Sequence, residues 1–544
     1  MNRPERRKMT SPRRDYYTII ILITMIGSLI FRIPLVHLIG DNGLAYFSVS
    51  NEVYLVIAGM ISYGLSEAVA ALVRYRVKRE QFKNAQKVLS SAVILGGTVG
   101  LMISIGFGFG GNFIAENVLN IPLAGLSLSL MAPSMFFFIL TGIFRGYFQG
   151  NGSRVPSMHS YILNIVFIFV GGIIGTTLLR GYGVKVSALL QNQDCIGAYG
   201  AMGAAIGILT ASVFCLFHML ALYLIYKRNI KRQMGRELQK GQDKRFHIFH
   251  MLIGTGSIYF LFWISIYGMP LLDQYLYFTF GGETAGSVAD WGAYYGKCLV
   301  IIGVVICVIC MICLLPVKRI VVLFERDEHR TAREKLGILI HQCALITIPA
   351  AIFMAVLSEN VLDAVFTGNQ KNVVSWVQLG SLMIIFGVFA SVFMEILLKS
   401  RKLKYVVAIT VGALLLHAGL LVLLLKATQL GILAVLIAGV AFFAVVMVLE
   451  FLVVRYSFQY SQEWMKSFAV TIIAAAIAGV IAMLLNKVFA PMLGAVISLI
   501  ICLLTAIIAY MVLLIVMRAF RDGEVQEMAG GRMISFLSGL LHFS

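Results

Sequence analysis

The sequence predicts an all-α polytopic membrane protein with fourteen transmembrane helices. Sixty per cent of its 544 residues are hydrophobic and only 13% are charged, and the mean hydropathy is +0.90. Apolar runs of about 20 residues, long enough to cross a hydrocarbon layer, recur along the chain. The 44 Lys and Arg stand mainly between those runs and alternate in density from one segment to the next, as the positive-inside rule expects. Their placement argues against nucleic acid as the partner implied by a net charge of +19.

The spans are expected at about 17–39, 44–73, 88–110, 125–149, 157–179, 200–226, 248–272, 293–317, 336–357, 373–398, 405–425, 430–454, 467–486 and 493–517. With the N-terminus cytoplasmic, 36 of the 44 Lys and Arg fall on inner segments and six on outer ones, while Arg32 and Arg145 lie within spans. One span more or fewer would invert every later loop and scramble that bias. The basic tail, 1–16, precedes an apolar run too long for a signal-peptide core, so no cleaved signal is read. The longest inner loop, 228–247, separates six spans from eight. The longest outer loops are expected at 180–199 and 273–291. In the C-terminal tail, 520–544, Met533, Ile534, Leu537, Leu540 and Leu541 share one helical face, which reads as an interfacial amphipathic helix.

Two matches suggest internal repetition. The basic stretches after spans 2 and 8 each place an Ala, Ala85 and Ala332, two or three residues before a Lys that opens the next span; the alanines are 247 residues apart. Spans 4 and 10 end similarly at Phe144-Arg145-Gly146-Tyr147 and Phe393-Met394-Glu395-Ile396. A unit of six spans is even, so both copies would share one orientation, related by an axis along the membrane normal.

Ionisable groups inside spans are costly and mark pathways by default. Arg32 and Glu52 stand ten residues either side of Asn42, which puts them at one depth on two antiparallel helices, about 15 Å from the turn. Ser48, Glu52, Gly59, Ser62, Tyr63, Ser66 and Glu67 project onto one face of span 2. Arg145 lies at a depth comparable to Glu67. Two candidate pairs result, Arg32 with Glu52 and Arg145 with Glu67, and each reads either as a cavity cation with its counter-ion or as a structural salt bridge. Asp273 on span 7 and Glu395 on span 10 are either coupling residues or interfacial charges, and Lys297 reads as an interface anchor. Two cations with forked donors suit a phosphate or pyrophosphate better than an apolar drug.

Other chemistry finds no support in the residues. There is no H-E-x-x-H, no phosphate-binding loop and no clustered metal set, and the expectation is no enzyme, no metal and no cofactor. Cys307, Cys310 and Cys313 have the spacing of an iron-sulfur run but sit in an apolar helix without a fourth thiol, as small core residues do. His37, His159, His218 and His417 are dispersed and read as hydrogen-bonding core groups or proton relays.

Gly27-Ser28-Leu29-Ile30-Phe31-Arg32-Ile33-Pro34, the Gly40-x-x-Gly43 turn and Gly64-Leu65-Ser66-Glu67-Ala68 resemble the opening of bacterial lipid-linked oligosaccharide flippases of the MOP superfamily. These include the MurJ-type lipid II flippases, the stage V sporulation protein B relatives and the polysaccharide exporters. Arg145-Gly146-Tyr147-Phe148-Gln149-Gly150 with Val155-Pro156 is similar to that family's span 4 signature, and Tyr199-Gly200-Ala201-Met202-Gly203 to its entry into span 6. Departures are Ser66-Glu67, where the family commonly has Pro and a small residue, a span 5 without its Glu and Arg, and a span 8 without an interior Arg.

The resemblance implies a MATE/MOP-like fold with two pseudo-symmetric six-helix lobes around a cationic central cavity. The N-lobe would be 17–227 and the C-lobe 248–456, with two further helices over 465–519 forming a lipid-tail groove. It implies a substrate cavity containing Arg32 and Arg145, to which Ser48 and Tyr63 are added here from the span 2 stripe. Glu52, Glu67, Asp273 and Glu395 are the candidate coupling or charge-pairing groups. The expected function is flipping a polyprenyl-pyrophosphate-linked saccharide, lipid II or a polysaccharide repeat unit, to the outer leaflet of the bacterial cytoplasmic membrane by alternating access. Na+, H+ or the membrane potential would drive it, both termini would be cytoplasmic, and its partners would be membrane lipids and cell-wall or polysaccharide assembly enzymes. The alternative is a cation-coupled MATE-type multidrug antiporter, for which twelve spans and acidic cavity residues are expected.

Overall fold

A computed structural model describes residues 16–235, 237, 243–281, 287–368, 371–461 and 465–520. Residues 1–15, residues 236 and 238–242 between spans 6 and 7, and the tail from 521 with its expected interfacial helix lie outside the described residues. Among the described residues there is helix and no strand. Twelve stretches are long and apolar enough to cross a membrane. Two of them, Tyr16–Val77 and Ser467–Val516, are broken at a glycine of positive φ, Gly40 (φ 69°) and Gly494 (φ 76°). Each therefore holds two spans, which gives fourteen. A side chain at either glycine would strain the backbone, so these residues are what permits two spans with almost no loop.

Several helices outrun the expected boundaries. Span 3 is Phe82–Asn117, span 5 Val155–Leu190, span 6 Asp194–Gly235 and span 7 Arg245–Phe280. The expected long outer loop at 180–199 is therefore mostly helix, and much of the one at 273–291 is too. Hydropathy detects only the roughly 30 Å of hydrocarbon, whereas 36 residues of helix extend about 54 Å and must tilt or project into water. Span 4 is Pro122–Gly150, span 8 Ser287–Cys313, span 9 His329–Val356, span 10 Lys371–Lys399, span 11 Leu403–Ala427 and span 12 Ile432–Phe458. Short helices at Val317–Glu325 and Ser358–Val365 flank span 9.

Helices in lipid gain little from apolar burial between themselves and associate through close backbone packing. Span 4 shows this along Gly142, Gly146 and Gly150, spaced four apart against span 2. A Cβ on Gly142 would stand 2.5 Å from the Ser62 carbonyl oxygen and one on Gly146 2.3 Å from that of Ser66. The apolar core follows the lobes: two clusters are built mainly from spans 1–6, and the largest is built mainly from spans 7–14. Spans 13 and 14 join that cluster through Ala474, Ala478, Ala506 and Tyr510, and the Tyr510 hydroxyl donates to the Leu345 carbonyl of span 9 at 2.9 Å. Ala85 and Ala332, the repeat positions, each lie three residues into their helices and are buried.

Candidate functional site

A π-helical turn, Leu55–Gly59, interrupts span 2. One extra residue in that turn rotates everything after it by about 100° relative to a regular helix. The predicted single polar face is therefore two faces. Ser62 donates to the Phe138 carbonyl at 2.8 Å and packs on span 4. Ser48, before the turn, is fully buried and accepts from Trp291 Nε1 of span 8 at 3.0 Å. Ser48 is thus committed to a contact between the lobes.

Neither predicted ion pair forms. Among the described residues, no carboxylate lies within salt-bridge distance of Arg32 or Arg145. The Arg32 guanidinium stacks on the Tyr295 ring at 3.6 Å and donates to the Tyr295 carbonyl at 3.1 Å. Asn51 donates to the Tyr295 hydroxyl at 2.9 Å and, at 3.5 Å, to buried Glu52. Tyr295 of span 8 therefore stands where direct Arg32–Glu52 contact was expected. It lies in a second π-helical turn, Tyr294–Cys298, that also presents Lys297. Lys297 is buried and bonds Asp41 at 2.9 Å, so it joins the lobes and is no interface anchor. Gly292 and Gly296 let the same stretch approach the Asp41 carbonyl and Leu44. The parts of spans 1 and 2 around Gly40, which the Lys and Arg bias assigns to the outer side, are thus latched to the start of span 8.

Arg145 is 1% exposed. Its Nε and Nη2 donate to Ser160 Oγ at 3.0 and 2.8 Å, its guanidinium lies 4.2 Å from the Tyr161 ring centre, and Nη1 has no acceptor among the described residues. Phe138 connects it to Tyr63: the Phe138 ring centre is 5.7 Å from the guanidinium and 5.6 Å from that of Tyr63. Tyr63 in turn stacks with Trp263 and Tyr267 of span 7, at 4.8 and 5.9 Å. Trp263 Nε1 is a second buried donor without an acceptor among the described residues. A cation, an aromatic group and two unused donors together match a ligand rich in acceptors and with faces to stack on.

Glu67 is exposed on span 2 and makes no ion pair among the described residues. Asp273 is buried and shares a 2.5 Å hydrogen bond with His417 of span 11. Glu395 bonds Lys399 at 2.8 Å on its own helix. Glu450 of span 12 escaped the sequence reading: it is wholly buried and its carboxyl oxygens have no donor among the described residues. An acidic residue within an apolar run was the available signal. Tyr295 and Trp291 offered none, since aromatics abound near span ends. No cluster of three or more metal-ligating side chains occurs among the described residues, and the three spaced cysteines are buried and free.

The chain matches no protein-family model. Stage V sporulation protein B of Bacillus subtilis (strain 168) is 19% identical over 283 residues, 52% of each protein, so the chain spans about half the length of that curated relative. An inward-facing multidrug resistance MATE family transporter of the MOP superfamily superposes with a TM-score of 0.64 at 15% identity, over 81% of this chain and 98% of that one. An outward-facing structure of such a transporter gives 0.58 at 17% identity, over 81% and 94%. A eukaryotic MATE transporter gives 0.54 at 16% identity, over 84% and 97%. The chain resembles stage V sporulation protein B in sequence and has the fold of the MATE transporters of the MOP superfamily.

Proposed function

We propose that this protein is a flippase that moves a polyprenyl-pyrophosphate-linked saccharide, lipid II or a polysaccharide repeat unit, from the inner to the outer leaflet by alternating access. The observation that carries the reading is Arg145: a buried guanidinium without a carboxylate partner among the described residues and with one unused donor. Burying an uncompensated charge is strongly unfavourable, and a diphosphate supplies both the counter-charge and the acceptors. The Tyr63–Trp263–Tyr267 stack supplies flat surfaces for sugar rings. The likeness to stage V sporulation protein B supports the same class, and the two helices beyond twelve fit a lipid-linked cargo whose tail stays in the bilayer.

In this reading the headgroup enters from the cytoplasmic side while the outer latch is closed. Its diphosphate binds Arg145, then competes with Tyr295 for Arg32, and release of Tyr295 lets the outer ends of the lobes part. An inside-negative potential favours outward movement of an anionic headgroup by about 2.3 kcal/mol per charge per 100 mV. Buried Asp273 and His417 are the proposed place for an exchanged proton. The MATE-type antiporter reading draws on the fold and on these buried acids, and the lone Arg145 speaks against it. The test is translocation of fluorescent lipid II and of a polyprenyl-linked repeat unit in reconstituted vesicles. Wild-type protein should move at least one and Arg145→Ala neither; efflux of cationic drugs with no lipid movement would overturn the proposal.

A further inference from the structure

A cleft of about 750 Å³ opens beside the inner ends of spans 11 and 12, on the face that the Lys and Arg bias assigns to the cytoplasm. Lys402 comes to it from the loop after span 10. Arg455, Tyr456 and Ser457 come from the last turn of span 12, and Gln459 from its left-handed cap (φ 49°). Lys402 donates to the Ser457 hydroxyl, which holds its ammonium at the wall of the cleft. Among the described residues, Arg455 is exposed and in no ion pair, and no carboxylate lines the cleft. Leu452, one turn deeper in the membrane, closes its apolar side and is half exposed, and Tyr456 beside it is 88% exposed.

Two cations, a hydroxyl and an amide thus meet at headgroup depth, next to an apolar wall that leads towards the acyl chains. Arg presents a fork of donors and Lys a compact charge, the combination that holds phosphate oxygens. The surface potential of an anionic leaflet adds to the attraction. We propose that this cleft binds the phosphate of an anionic lipid of the inner leaflet. A free phosphate would use the cations but leave the Leu452 wall unused. A glycerophospholipid and a polyprenyl phosphate share the required chemistry, and binding separates them.

The test is native mass spectrometry of the purified full chain titrated with phosphatidylglycerol, polyprenyl phosphate or zwitterionic phosphatidylcholine, with inorganic phosphate as competitor. The anionic lipids should be retained and phosphatidylcholine should not. Lys402→Ala with Arg455→Ala should weaken retention about thirtyfold, from about 1 kcal/mol for each basic group, while Lys402→Arg with Arg455→Lys should keep most of it. If the alanine pair misfolds, Lys402→Gln with Arg455→Gln takes its place. Polyprenyl phosphate held more than tenfold tighter than phosphatidylglycerol would identify the carrier lipid as the occupant, and equal retention a general anionic lipid. Phosphatidylcholine held as tightly as the anionic lipids, retention unchanged in a folded charge-free variant, or displacement by equimolar inorganic phosphate would each overturn the proposal.

Discussion

Replacing Lys297 by Met keeps most of the side-chain stem but removes the ammonium that bonds Asp41 at 2.9 Å across the lobe boundary. The Lys297 side chain is 7% exposed and that of Asp41 29%. The pair therefore falls between exposed bridges, worth up to about 1 kcal/mol, and fully buried ones, whose disruption costs about 3–5 kcal/mol. About 2 kcal/mol is the expected loss, or about thirtyfold in the equilibrium between closed and open outer ends. Trp291 with Ser48 and Arg32 with Tyr295 remain, so the latch weakens and persists. Spin labels at Leu189→Cys and Leu430→Cys, exposed positions of the two lobes on the side that the Lys and Arg bias assigns to the outside, would report it, because all eight native cysteines are buried. Pulsed dipolar spectroscopy should show a growing population of longer distances in Lys297→Met, and exchange of the two charges, Asp41→Lys with Lys297→Asp, should return most of it. An unchanged distribution in a variant that melts like wild type would refute the assignment of this contact as a latch.

Arg145→Met should reduce translocation at least tenfold while leaving the melting temperature in detergent unchanged or higher, since it deletes a buried charge that lacks a carboxylate partner; a lower melting temperature with normal transport would make the residue structural. Tyr295→Phe keeps the ring under Arg32 and loses the Asn51 hydrogen bond, so its transport should stay nearer wild type than that of Tyr295→Leu in the vesicle assay. Gly146→Ala pushes a methyl to 2.3 Å from the Ser66 carbonyl oxygen and should destabilise the bundle by about 1–3 kcal/mol, read as a fall in melting temperature.

The membrane class and the number of spans were legible because hydropathy and charge bias act on stretches of 20 residues, and each span averages out its own exceptions. Arg32 and Arg145 were legible as unusual for the same reason: a guanidinium inside an apolar run stands out against its whole surroundings. Their partners were not. The 100°-per-residue projection put Ser48, Ser62 and Glu67 on one face, and the π-helical turn at Leu55–Gly59 rotates Ser48, against span 8, away from the two residues that follow it, Ser62 against span 4 and exposed Glu67. No hydrophobic period reveals a single inserted residue. Tyr295, 263 positions from Arg32, needed tertiary structure, and so did the Asp273–His417 pair, where two groups assessed separately prove to be one.

The two guanidiniums differ in a way that orders the proposed events. Arg145 is held from within the N-lobe, by Ser160 and Tyr161 of span 5, so these contacts do not depend on the opposing lobe. Among the described residues, the hydrogen-bond and ring partners of Arg32 both belong to Tyr295, on the opposing lobe. Separation of the outer ends therefore strips half-buried Arg32 of a carbonyl and a ring at once, a loss that the charge-assisted bonds of an arriving anion offset. A headgroup bound first at Arg145 lowers that cost by bringing its diphosphate to Arg32, so opening should be slow without cargo and faster with it. A neutral or cationic cargo could not perform that exchange. Labels at Leu189 and Leu430 should accordingly separate on addition of a polyprenyl diphosphate saccharide to wild-type protein, and fail to do so in Arg145→Met.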